Sequence, residues 1–279
     1  YPNPTFMASS FLDYHGSGNF KILGKKMVSK NCELLILSAL DEIAWLFNLR
    51  GSDIHCCPVF KSFSLITLTS ATLFIDKDRI SPEVDLHLNS TLISTDSRVS
   101  IQPYLAVVAA LKECVKNFSC VWISDTTPAF LALEIPEDKI MIETNPVCQQ
   151  KAVKNDVELH NLKITCTRDA ACLCEFFGYL EKNIHVSCIN EYQASTRLFS
   201  IRSKMENFIM NSFDCISSVG PNAAIVHYKP EENSSAVIKK DQIYLCDSGG
   251  NYLDGTTDIT RTLHFGTPTQ KERVFLNNM

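Results

Sequence analysis

Apolar residues along this chain fall in short runs and stripes, cut by turn-forming residues. The compact apolar run at 33–37 predicts a buried strand. Residues 41–49 place Ile43, Leu46 and Phe47 at helical spacing and stop near Gly51, which predicts a short helix. Strands are expected over 62–69 and 72–75 with a turn between them, an amphipathic helix over 105–115, and strands over 121–123 and 140–142. The first 30 residues are weakly patterned, and Gly16-Ser17-Gly18 reads as a loop signal. Strands alternating with helices indicate a layered α/β unit ending near Pro146.

The pattern then changes. Asn155 with Glu158 three residues on has the form of a capping box. It opens a long helix whose expected apolar stripe is Leu159, Leu162, Cys166, Ala170, Leu173, Phe177 and Leu180. A second helix is expected over 191–206. Strands are expected over 213–217, 224–228, 242–246 and 257–263. Two helices followed by an antiparallel β region form an α+β pattern. The expected partition is an α/β unit over 1–150 and an α+β unit over 151–279.

Composition narrows the class. With 45% apolar residues over 279 positions, the chain has the material for packed cores and does not resemble a disordered protein. Its 26 basic and 31 acidic residues leave a net charge of −5, which gives no electrostatic drive toward nucleic acid. The longest apolar stretch, 34–40, stops at Asp41-Glu42, so no membrane span is expected. Tyr1-Pro2-Asn3-Pro4 lacks the basic start and apolar core of a signal peptide.

The 12 cysteines contain no CxxC, and Cys172 and Cys174 fall on different faces of a helix. His55-Cys56-Cys57 reads either as a ligand cluster or as ordinary free thiols. A reducing cytoplasm is the favoured compartment. Sequons at Asn89, Asn117 and Asn233 support a secreted or lipid-anchored alternative.

The segment most suggestive of chemistry is Tyr244-Leu245-Cys246-Asp247-Ser248-Gly249-Gly250, followed by Gly255-Thr256-Thr257-Asp258-Ile259-Thr260-Arg261. Folded as a hairpin centred between Tyr252 and Leu253, it sets Asp247 directly opposite Asp258. Two carboxylates there repel unless a cation lies between them, and such a pair suits a two-metal hydrolytic site. A solvated hairpin tip is the other reading of the same spacing. His227, in an apolar strand, reads as a buried core histidine or as a functional one. His264 lies six residues past Asp258 and shares its face by alternation.

Three stretches together resemble one family: 220–228 (Gly-Pro-Asn-Ala-Ala-Ile-Val-His-Tyr), Asp247-Ser248-Gly249, and 254–262 (Asp-Gly-Thr-Thr-Asp-Ile-Thr-Arg-Thr). The chain resembles the Xaa-Pro aminopeptidases (aminopeptidase P), which are pita-bread metallopeptidases. Residues 39–53 and 151–155 resemble that family's middle domain and domain junction, and the similarity runs from about Leu12 to about Glu272.

The resemblance implies an α/β, creatinase N-terminal-like middle domain followed by an incomplete α+β pita-bread catalytic domain. It implies Asp247 and Asp258 as ligands of a dinuclear centre, usually manganese, with Asp258 bridging both ions. His227 is implied as a catalytic residue that assists substrate binding and the tetrahedral intermediate, and the expected substrates are peptides with proline at the second position. The complete family enzyme is expected to be a homodimer. The family's remaining ligands, one His and two Glu in Gly-His-Gly, Glu-Pro-Gly and Glu-Asn segments, have no match here. Their absence implies a truncated chain that is inactive alone. It also sustains the rival reading of a non-catalytic pita-bread module used for binding or dimerisation. At His55-Cys56-Cys57 the family usually has Asn before the following proline.

Overall fold

The computed structural model describes residues 5–6, 16–90 and 99–277. The opening Tyr1–Pro4, the start of the family resemblance at Leu12, and Asn278-Met279 lie outside the described residues. The chain divides into two compact units, Tyr1–Val157 and Glu158–Met279.

The first unit is built on a six-stranded mixed sheet. In spatial order its strands are Val99–Pro103, Ala71–Ile75, Phe63–Thr67, Leu34–Leu37, Val121–Ile123 and Ile140–Ile142. Leu34–Leu37 pairs antiparallel with Phe63–Thr67 and parallel with Val121–Ile123. Its four residues are all buried, because alternate side chains enter two cores: Leu35 and Leu37 on one face, Leu34 and Ile36 on the other. Double burial explains why this segment is continuously apolar rather than alternating.

Five of these six strands fall where the sequence pattern puts them, and the edge strand Val99–Pro103 does not figure among the expected ones. Two expectations fail. Gly16-Ser17-Gly18 opens the helix Gly16–Ser29, which buries Phe20, Leu23 and Met27. Glycine's low helix propensity hides a segment stabilised by tertiary burial of one face. The helix expected over 41–49 is shorter, Leu40–Leu46. The chain then turns through Asn48, at φ 52°, into the two-residue strand Leu49–Arg50. His55-Cys56-Cys57 sits in a tight turn in which Cys57 N–H donates to the Ile54 carbonyl and Cys56 adopts φ 58°.

Glu42 lies in this unit at 9% exposure and accepts a hydrogen bond from Asn145 Nδ2 at 2.5 Å. Burial, with Asp41 adding to it, pushes its carboxyl up from 4.5 to about 7, against the opposing pull of Lys151. Between those pH values the folded chain retains a proton that the unfolded chain releases. Stability from this group therefore falls as pH rises through the window. A tenfold change in proton affinity corresponds to about 1.4 kcal/mol, so the loss is at most about 3.5 kcal/mol. Both tryptophans, Trp45 and Trp122, lie in this unit, so their fluorescence follows its unfolding. Glu42→Gln is expected to flatten the decline in urea midpoint between about pH 5 and 8. An equally steep decline in the variant would assign it to other groups.

The second unit opens with the helix Asp156–Asn183, followed by Glu191–Arg202. Two three-stranded antiparallel sheets follow. One has the order Ile216–Val219, Ile243–Ser248, Ile259–His264; the other Gly255–Thr256, Gly250–Tyr252, Phe208–Asn211. Tyr244 and Cys246 on the central strand pack against Cys172, Phe176, Leu180, Leu198 and Ile201 of the two helices. The helices therefore cover one face of the first sheet.

The buried stripe of the long helix is Thr165, Asp169, Cys172, Leu173, Phe176 and Leu180, which shares Leu173 and Leu180 with the expected one, while Phe177 packs at its edge. Leu159, Cys166 and Ala170 are exposed. The stripe is rotated because the helix buries the charged Asp169, whose partner Arg202 comes from the second helix. A pattern of apolar positions alone carries no sign of such a pair.

Candidate metal centre

Asp247 lies on the central strand of the first sheet, and the register differs from the expected hairpin. Asp247 pairs with Thr260 and Ser248 with Ile259. The same register continues through Asn251 with Thr256 and Tyr252 with Gly255, so the turn is centred between Leu253 and Asp254. Asp258 thus falls opposite Gly249, two residues before Thr260. The two aspartates are diagonal rather than directly opposed, which corresponds to a backbone separation of about 7–8 Å.

Alternation fixes the side of Asp247, which is inside a paired strand. Tyr244, Cys246 and Ser248 turn inward and are buried, while Ile259 and Leu263 join the helical core. Asp247, Thr260 and His264 belong to the opposite face, and Asp258 lies just ahead of the strand Ile259–His264, outside its paired residues. His264 Nδ1 accepts a hydrogen bond from Gly266 N–H at 3.1 Å.

The tight construction between the aspartates depends on Gly249. A Cβ there would lie 2.0 Å from the Thr257 carbonyl oxygen and 2.2 Å from Ser212 Oγ. Ser212 Oγ itself donates to that carbonyl at 2.8 Å. Gly250 N–H donates to Thr257 Oγ1 at 2.9 Å. The strand bearing Asp247 and the segment bearing Asp258 are thereby tied together between the two carboxylates.

The burial of the two differs. Asp258 is exposed, whereas Asp247 is half-buried and its Oδ1 is buried without a hydrogen-bond partner. An unsatisfied carboxylate oxygen is costly unless something positive or protic completes it. Carboxylate oxygens are hard donors that suit divalent ions such as manganese. The donor set therefore fits a metal, with Asp247 and Asp258 as the residues that would hold it. Among the described residues, no group of three or more His, Cys, Asp or Glu with converging ligand atoms includes either aspartate.

His227 departs from expectation. Residues 224–228 form no strand: Gly220–Ala224 is a 3₁₀ turn, Ile225 N–H donates to Asn222, and Tyr228 N–H donates to Ile225. Val226 is 82% exposed and His227 is exposed at φ 59°. Among the described residues no partner strand reaches this apolar segment, so its β-branched residues stay in solvent.

What orders the loop is Glu191, which is fully buried. Its carboxylate accepts from Val219 N–H (2.8 Å), Asn222 Nδ2 (3.0 Å), Tyr228 Oη (2.7 Å) and Ala236 N–H (2.9 Å). Burial and this acceptor hold the Tyr228 phenol above its ordinary range. Glu191 is a positioning residue that the pattern does not reveal. Its one visible signal is its place at the first turn of a capped helix, with Asn190 and Gln193 forming the box.

Two family models match the chain. The creatinase/prolidase N-terminal domain covers residues 13–158, and metallopeptidase family M24 covers residues 160–277. The chain belongs to the creatinase/prolidase and M24 metallopeptidase family. Its fold is accordingly a creatinase N-terminal α/β domain joined to M24 pita-bread structure.

A probable Xaa-Pro aminopeptidase P of Paracoccidioides lutzii is 42% identical over 266 residues, which is 90% of this chain and 42% of that protein. One from Aspergillus flavus is 44% identical over 262 residues, 90% of this chain and 39% of that protein. The chain thus spans about two fifths of the length of the curated relatives it matches. The solved X-prolyl aminopeptidase of Caenorhabditis elegans, described as a cytosolic enzyme with a di-nuclear active site, superposes with a TM-score of 0.90. It shares 30% identity, with 97% of this chain and 44% of that one covered. A Bacillus anthracis Xaa-Pro dipeptidase shares the fold at a TM-score of 0.72 and 17% identity, covering 94% of this chain and 68% of its own. No helix among the described residues is long and apolar enough to cross a membrane.

Proposed function

We propose that this chain carries part of the site of a metal-dependent aminopeptidase that removes the N-terminal residue from peptides with proline at the second position. The observation that carries the reading is the unpartnered, buried Asp247 Oδ1, on a strand tied at Gly249 and Gly250 to the segment that leads into Asp258. The printed names of the relatives supply the substrate class. Asp247 and Asp258 are the metal-holding residues, manganese is the proposed ion, and His227 meets the peptide from its exposed turn. Bound divalent ions lower the pKa of water and polarise a carbonyl oxygen. The chain's own contribution is to fix two carboxylates on a stiff hairpin and to present an imidazole on a braced loop. A cytoplasmic setting and a homodimeric complete enzyme complete the proposal.

The missing third ligand among the described residues favours a second reading, a pita-bread module that binds or dimerises without catalysis. Hydrolysis of an Arg-Pro-Pro peptide with added manganese separates the two. A chain extended to the full length of its relatives is expected to turn over substrate, and Asp258→Asn is expected to abolish that activity. The 279-residue chain alone is expected to be slower by about 100-fold or more, because two carboxylates leave most metal positions to water. Equal turnover by the short and extended chains would overturn the incomplete-site argument. An inert but folded extended chain would support the binding module.

A further inference from the structure

A cavity of about 510 Å³ opens in the second unit where the end of the long helix meets the start of the helix Glu191–Arg202. It lies among the helices, not on the sheet face that carries Asp247. Arg197 lines it, with its guanidinium carbon 4.8 Å from the centre of the Tyr179 ring. Arg197 Nε is buried and has no hydrogen-bond partner. Among the described residues, no Asp or Glu lines the cavity. Ser187, Tyr192, Thr196 and Ser200, each bearing a side-chain hydroxyl, are among the residues that line it.

A half-buried guanidinium without a carboxylate partner is costly to keep, because burial penalises an uncompensated charge. The Tyr179 ring face offsets part of that cost but leaves the buried Nε–H unsatisfied. A cation with hydroxyl-bearing neighbours and no carboxylate around one space describes an anion site. A phosphate suits this space better than a carboxylate does, since it carries more charge for the guanidinium and has further oxygens to accept from a neighbouring hydroxyl such as that of Thr196 or Ser200.

We propose that this cavity binds a phosphate group, free or as the monoester of a small molecule. The site is separate from the candidate metal centre and stands whether or not the peptidase reading holds. The test is calorimetric titration of the whole chain with inorganic phosphate, in metal-free buffer at fixed ionic strength. Saturable one-to-one binding is expected, weakened about tenfold or more by Arg197→Gln.

Phenyl phosphate distinguishes the sources: tighter binding than phosphate assigns an ester, weaker binding assigns the free ion. Acetate binding as tight as phosphate would overturn the proposal. So would the absence of saturable phosphate binding, or an affinity unchanged in Arg197→Gln. If Arg197→Gln fails to fold by circular dichroism, the Thr196→Val, Ser200→Ala pair decides. A several-fold loss of affinity there supports the site, and unchanged affinity overturns it.

Discussion

Asp169→Ala is expected to destabilise the second unit by about 3–5 kcal/mol, which is a large share of any domain's stability. Arg202 is 1% exposed and Asp169 2%, and they pair in a fork: Arg202 Nε donates to Oδ1 at 2.7 Å and Nη2 to Oδ2 at 2.8 Å. Tyr252 Oη donates to Asp169 Oδ1 at 2.7 Å, and Arg202 Nη2 reaches Ser248 Oγ at 3.2 Å. Burial by itself would push the Arg202 guanidinium down, but Asp169 outweighs it and holds the group above its ordinary value.

Removing the carboxylate leaves a charge in the core and strips the phenol of its acceptor. Cys172 and Cys246 are buried beside this network, so their reaction with a thiol reagent reports its opening. Their labelling is expected to move to markedly lower urea in Asp169→Ala. The double variant Asp169→Leu, Arg202→Met is expected to recover most of the loss, since a well-packed apolar pair replaces a buried ion pair at little cost. A labelling midpoint shifted by less than about 1 kcal/mol in Asp169→Ala would show that water already reaches the pair.

This pair also marks the limit of what the pattern of residues discloses. Runs such as 34–37 and 121–123 are legible because burial on both faces demands continuous apolar residues. Asp247 and Asp258 are legible as odd carboxylates in strand-like context, but their register is not. Moving the turn centre by one residue, from between Tyr252 and Leu253 to between Leu253 and Asp254, changes the partner of Asp247 from Asp258 to Thr260. The close passage of Thr257 and Ser212 at Gly249 sets that register through tertiary contacts. The pattern misplaces His227 because 224–226 has strand-forming residues but, among the described residues, no neighbouring strand to pair with. Asp169, Arg202 and Glu191 give little signal, since a charged residue becomes a core residue only when a partner distant in sequence meets it.

Glu191→Ala is expected to release the loop that carries His227 and to cost about 3 kcal/mol or more. Hydrogen bonds to an ionised group contribute roughly 1.5–3 kcal/mol each and are not additive. Four donors from three places in the chain converge on this one carboxylate: Val219 at the end of a strand, Asn222 and Tyr228 flanking the exposed turn, and Ala236 beyond it. Glu191 N–H also donates to the Ala236 carbonyl at 3.0 Å, which fixes the far end of the loop to the same helix start.

With alanine the buried Val219 N–H loses its acceptor, and the turn bearing His227 keeps its local backbone bonds, the Asn222–Tyr228 hydrogen bond and the exposed Lys229–Asp214 pair. Glu191→Gln retains one carbonyl oxygen and is expected to lose about half as much. Hydrogen exchange is expected to rise across 219–236 in the order wild type, Glu191→Gln, Glu191→Ala, with exchange in the strand Ile259–His264 little changed. Uniform acceleration across both segments would mean that Glu191 supports the whole unit rather than the loop. In the extended enzyme of the proposed function, the same series should raise KM for Arg-Pro-Pro before it lowers kcat. A loosened His227 turn weakens the hold on the peptide while Asp247 and Asp258 stay fixed on their hairpin.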